Sequence, residues 1–187
     1  LGATGAGKQR AGVIRFDVTS LADKYLSIDS MKLRFWVYRT AADNSYNISL
    51  LREGNADWGE GTVDGAAQTG MACWNYAQYN TVAWLGGASG ARLAADVYGV
   101  MGTLTLNGST PVGTMVEIDL DPSGFVANVD TLTEIVDLWQ ASNAGFQIYG
   151  GSGQWGVDSS ESATTAERPE LIINYTSNST GTMFYIY

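Results

Sequence analysis

Four carboxylates, Glu53, Asp57, Glu60 and Asp64, crowd a glycine- and tryptophan-rich stretch, and any pair of them has the side chains a glycosidase or lyase needs. Little other catalysis is open to this chain. It contains no histidine, which removes Ser-His and Cys-His nucleophile systems and every imidazole metal site. Its single cysteine, Cys73, has no partner for an internal disulfide or a zinc cluster and reads as a small buried apolar residue. Asp119-Leu120-Asp121 and Asp158 supply oxygen ligands of the kind Ca2+ takes, without the repeated acidic pattern of an EF-hand loop. As solvated loop charges and turn formers these acids need no catalytic role, and the expectation is a non-catalytic domain without a resident cofactor.

The second chemistry on offer is recognition. Trp58, Trp74, Tyr76 and Trp84 fall in one long excursion, roughly residues 58–98, beside the amides of Asn75, Gln78 and Asn80. Flat rings match the apolar faces of sugars and amides bond their hydroxyls, so these four aromatics are the candidate glycan contacts. The same rings equally suit packing, anchoring the excursion over an open end of a core, because tryptophan buries a large area wherever it is covered. Four Asn-x-Ser/Thr triplets, at Asn47, Asn107, Asn174 and Asn178, permit N-glycosylation in a competent host.

The elements that position these residues carry a period-two signal. Met31, Leu33, Phe35 and Val37 alternate with Lys32, Arg34, Trp36 and Tyr38, as a half-buried strand requires. Val116, Ile118 and Leu120 repeat the pattern, as do Phe146 and Ile148 around Gln147, and Leu171, Ile173 and Tyr175. Short alternating runs between Gly, Asn, Asp and Pro breakers predict an all-β, antiparallel sandwich or jelly roll. One helix interrupts it: Leu132, Ile135, Val136 and Trp139 form a single stripe after a Thr131/Glu134 capping box, placed to close one end of the core.

Composition bounds the rest. A chain of 187 residues that is 45% apolar fills one sandwich core. Ten basic against 19 acidic residues, a net charge of −9, repel nucleic acid and anionic lipid. No run is long enough to cross a bilayer as a helix. The 23 glycines and the wealth of Ser, Thr and Asn suit an extracellular or cell-surface β protein, and a chain opening at Leu1 reads as processed or excised.

Several of these segments together resemble a known family. Arg15-Phe16-Asp17 with Met31-Lys32-Leu33-Arg34-Phe35, then Trp58-Gly59-Glu60-Gly61 with Trp74-Asn75, then Leu138-Trp139, Ser160-Glu161 and Arg168-Pro169-Glu170-Leu171 through Tyr175 follow the order of blocks in the DNRLRE domain, named after disaggregatase-related proteins. The resemblance implies a secreted, mostly bacterial β-sandwich, generally non-catalytic, appended to surface proteins and polysaccharide-acting enzymes, with some carbohydrate-binding modules among its relatives. It also implies a further strand ahead of Leu1 that this chain lacks, and a domain spanning residues 1–176.

Residues 177–187 lie beyond that pattern. A short linker, Ser177 to Gly181, reaching roughly 17 Å at most, leads to Met183-Phe184-Tyr185-Ile186-Tyr187, a strand-prone segment without charge. An exposed strand of this kind needs a partner. It either folds back on its own sandwich or enters the edge of a neighbouring copy, which makes a homo-oligomer or head-to-tail polymer the expected assembly and a polysaccharide the alternative partner.

Overall fold

A computed structural model describes residues 11–40, 43–61, 68–88, 90–125, 129–150, 155–178 and 184–186. They form strands β1 (Ala11–Ile14), β2 (Tyr25–Thr40), β3 (Asn44–Leu51), β4 (Tyr76–Gln78), β5 (Val82–Ala83), β6 (Val97–Leu106), β7 (Thr114–Asp119), β8 (Phe146–Gly150), β9 (Trp155–Val157), β10 (Glu170–Ser177) and β11 (Phe184–Ile186), with one α-helix, α1 (Leu132–Ala141). One sheet runs β1-β8-β3-β6 and the other β11-β10-β2-β7, with β9 on the far end of β2. Every pairing is antiparallel. The expectation of an all-β antiparallel sandwich with one short helix is met.

The alternation of β2 decides which face is inside. Met31, Leu33, Phe35 and Val37 are at most 1% exposed and meet Tyr46, Ile48, Leu50, Phe146 and Ile148 of the opposite sheet in a single core. The outer face of β2 carries charge in register with its neighbours. Arg34 lies opposite Glu117 on one side and Glu170 on the other, and Lys32 opposite Asp119. The Arg34 guanidinium bonds both Glu117 and Glu170, the latter at 2.9 Å, and Lys32 Nζ stands 3.2 Å from Asp119 and 3.6 Å from Glu117. The Arg34 hydrogen bond holds the Glu117 carboxyl below the usual carboxylate range.

The helix begins where its capping box predicts. Thr131 Oγ1 accepts from the Glu134 N–H, and Glu134 Oε2 accepts from the Thr131 N–H at 2.9 Å, so two otherwise orphaned donors are satisfied reciprocally. Ile135, Val136 and Trp139 enter the core, with Trp139 packed edge-on to Phe146 at 5.1 Å. Thr133 Oγ1 accepts from the Ile28 N–H and the Tyr25 hydroxyl donates to Asp137, which ties the helix to the start of β2.

The outer-face ion pairs make stability acid-sensitive. The folded state depresses the Glu117 pKa, so the stabilisation is present above the unfolded carboxylate value of about 4.3 and is lost as pH falls through the folded value. Arg34→Ala strands the mostly buried Glu170 carboxylate and is expected to cost about 2 kcal/mol at neutral pH, with a shallower acid transition than wild type, both read by urea melts across pH.

Candidate functional site

The excursion between β3 and β6 is folded by a buried polar hub. Asp96 is fully buried, and its carboxylate accepts from the backbone N–H groups of Gly86 at 2.7 Å and Leu93 at 3.1 Å. Asn55, 1% exposed, accepts from the Leu85 N–H and donates to the Asp96 carbonyl. Two side chains thus pin three separate segments, and Gly86 is required because a Cβ there would come within 2.4 Å of the Asp96 carboxylate. Against this hub Leu51, Trp58, Ala77, Trp84, Ala91 and Ala144 form a second apolar cluster that takes in Val13 and Val97 of the sheet.

The excursion therefore covers the outer face of the β1-β8-β3-β6 sheet, where the sequence predicted the covering of an open end. The physical reason lies in the sheet: Val13 and Leu51 give that face apolar anchors, and Gln147, opposite Val13 and Ser49, is buried under them at 1% exposure instead of facing water as alternation implied.

The candidate glycan contacts separate into two kinds. Trp58 and Trp84 are 6% and 4% exposed, and each indole N–H donates at 2.8 Å to a backbone carbonyl, Ala144 and Cys73 respectively. They are anchors of the excursion. Trp74 and Tyr76 keep part of their rings accessible. Trp74 lies 6.4 Å from Tyr149 on β8, with the Arg92 guanidinium 5.6 Å from one ring and 5.2 Å from the other, and Tyr76 packs edge-on to Tyr79. Of the neighbouring amides, Asn75 is exposed, Gln78 donates to the Asp57 carbonyl, and Asn80 turns the chain at φ 63°.

The candidate acids go to different partners. Glu53 accepts from the Tyr98 hydroxyl at 2.5 Å, which holds the carboxyl below its usual range; burial first, then Glu53, pushes Tyr98 up to about 12. Asp57 is exposed, Glu60 accepts from the Ser160 hydroxyl, and Asp64 lies outside the described residues. Asp119 faces Lys32, and Asp121 accepts from both the N–H and the hydroxyl of Ser123. Among the described residues no group of three or more Cys, Asp or Glu stands together as a metal site. Cys73 is half-buried, short of the full burial expected, because it sits in the turn that its own carbonyl offers to Trp84. Of the sequons, Asn47 and Asn107 are exposed, Asn178 donates to the Asp23 carbonyl, and Asn174 donates to the Ser30 hydroxyl inside the sheet. Among the described residues no helix is long and apolar enough to cross a membrane.

One site was not legible as a site in the sequence. A cleft of about 550 Å³ opens between β1 and the stretch that follows β9. Its floor is the core itself, Phe35 and Ile148, and its rim carries Arg15, Glu60, Ser160, Glu161 and Arg168. Arg15 lies 4.7 Å over the Trp58 ring and donates to the Ala56 carbonyl at 2.7 Å; Arg168 donates to the Ser162 carbonyl at 2.9 Å. Three sequence blocks far apart in the chain, Arg15-Phe16-Asp17, Trp58-Gly59-Glu60-Gly61 and Ser160-Glu161 with Arg168-Pro169, meet here. Only the resemblance noted in the sequence linked them beforehand.

At the chain end, Phe184–Ile186 pair with Ile173–Leu171 of β10 in the same chain, making β11 the outermost strand of its sheet. Met183 and Tyr187 lie outside the described residues. Comparison with protein-family models, curated proteins and solved structures yields no match.

The hub is the testable element of this construction. Asp96→Ala leaves the Gly86 and Leu93 N–H groups unpaired, so a loss of about 3 kcal/mol is expected in chemical denaturation, with limited proteolysis moving into residues 52–96.

Proposed function

We propose that this chain is a non-catalytic extracellular structural module, a DNRLRE-like subunit that assembles head to tail by passing its C-terminal strand to a neighbouring copy. The carrying observation is how lightly the tail is held at home. Among the described residues Leu171, Ile172 and Ile173 of β10 pair with β11, whereas all of Glu170–Ser177 pair with β2. A strand attached through so few residues at a sheet edge exchanges between copies without loss, since the partner edge offers the same backbone groups. A head-to-tail exchange is heterologous and propagates into a filament unless the rotation closes a ring. The order of the sequence blocks supports the family reading, and the composition supports an extracellular location.

Deleting Met183 to Tyr187 is expected to convert large assemblies into monomers by light scattering and to abolish filaments in negative-stain microscopy. Polymers that persist after the deletion, or a full-length chain that stays monomeric at every concentration, would sink the proposal.

A second reading, carbohydrate binding, is favoured by the half-exposed pair Trp74 and Tyr149, which share Arg92 and stand beside the exposed Asn47 that pairs with Tyr149 across β3 and β8. In polysaccharide pull-downs Trp74→Ala and Tyr149→Ala are each expected to weaken retention roughly tenfold, at the upper end of the about 0.5–1.5 kcal/mol of an aromatic contact. Retention unchanged in both variants removes this reading.

A further inference from the structure

Independently of the assembly reading, we infer a recognition site at the end of α1: a cavity that takes an uncharged, hydroxyl-bearing ligand, a single neutral sugar ring.

The cavity, of about 480 Å³, lies between residues 15–19 and the end of the helix, where Trp139, Ser142 and Asn143 form its wall. Its lining comes from the continuous described stretches 11–40, 43–61 and 129–150. Three side chains hang the 15–19 segment across the helix end. Asn143 Nδ2 donates to the Phe16 carbonyl at 2.8 Å, Gln140 Nε2 donates to the Val18 carbonyl at 2.6 Å, and Arg15 donates to the carbonyls of Ala56 and Asn143. Phe16 and Val18 are buried while Asp17 and Thr19 stay exposed, with Asp17 Oδ1 accepting from the N–H and the hydroxyl of Thr19. The volume falls within the roughly 300–1,000 Å³ of small-molecule sites.

Two polar atoms distinguish this cavity. Among the described residues three buried side-chain nitrogen or oxygen atoms have no hydrogen-bond partner, and two of them, Trp139 Nε1 and Asn143 Oδ1, belong to this one wall. Trp139 is 5% exposed, and its ring is held edge-on to Phe146 at 5.1 Å. The bond from Nδ2 to Phe16 fixes the Asn143 amide, so Oδ1 is its accepting end. Trp58 and Trp84 show the usual state of a buried indole, each donating to a carbonyl at 2.8 Å. Trp139 departs from it. A buried donor and a buried acceptor without partners are costly, and a ligand that supplies both relieves that cost.

The pair selects the ligand. An indole N–H only donates and an amide oxygen only accepts, so a group that serves both must accept and donate at once. A hydroxyl does so. A carboxylate has no hydrogen to give to Asn143, and an ammonium has no lone pair for Trp139. The charges at the mouth agree, since Arg15 and Asp17 are opposite in sign and together give an ion no net attraction. Phe16 and the Trp139 ring offer apolar surface to the carbon face of a sugar, and the Thr19 and Ser142 hydroxyls line the same space. The site shares no residue with the Trp74 and Tyr149 pair.

The experiment follows the indole N–H signals of the nitrogen-labelled full chain by NMR as glucose, galactose, xylose or N-acetylglucosamine is added, with acetate and ammonium as charged probes. The Trp139 signal is identified by its contact with the Phe146 ring. The expected result is a saturable shift of that signal with at least one sugar and with neither ion, while the Trp58 and Trp84 signals stay in place. Saturation transfer from the chain to that sugar is expected to fall at least fivefold in Trp139→Phe and to be unchanged in Trp74→Ala. A Trp139 signal unmoved by all four sugars would overturn the site, and a shift with acetate or ammonium would overturn its choice of a neutral hydroxyl. Movement of the Trp74 signal alone would overturn this cavity while leaving sugar binding at Trp74 and Tyr149 standing.

Discussion

The sheet that carries the charged outer face takes its register from β2. One sixteen-residue strand pairs with β7 along one side and with β10 and then β9 along the other, so its alternation is imposed on three neighbours at once. Because the side-chain period is two, a slip of a single residue would carry Met31, Leu33, Phe35 and Val37 to the solvent face and Lys32 and Arg34 into the core. The ionic contacts across the outer face add little by themselves at a surface, but they are compatible with one register only. Apolar burial supplies the drive, and charge supplies the discrimination between registers.

The excursion between β3 and β6 follows a different rule. It carries little regular structure, so its backbone groups must find partners one at a time. Asp96 answers this by offering carboxylate oxygens to N–H groups that no strand would pair, and Asn55 does the same with an amide. A buried side chain whose oxygens accept from backbone donors gives the excursion one conformation where packing alone would allow several. The same excursion holds Trp58 beneath Arg15 at the cleft, so the hub and the cleft rim are mechanically joined through Trp58.

How much of this was readable follows from the range of each interaction. The strands around Met31, Val116, Phe146 and Leu171 and the cap at Thr131 depend on neighbours two to four residues away, and the sequence carries them openly. The burial of Gln147 depends on a segment tens of residues distant coming to rest on that face, and alternation has no knowledge of such a cover. Trp58 and Trp84 likewise look the same in sequence whether they stack on a ligand or donate to a carbonyl. The cleft was least legible, since its walls come from three remote blocks.

The two indole anchors distribute sequence tolerance unevenly. Each donates to a main-chain carbonyl, at Cys73 and at Ala144, and a carbonyl is present whatever side chain accompanies it. Position 73, half-buried, is therefore free to vary among residues that fit the turn, while positions 58 and 84 admit only a ring that is both large and a donor. Drift in related chains should accumulate on the accepting side of each contact, leaving the tryptophans as fixed points in a loop whose remaining letters change.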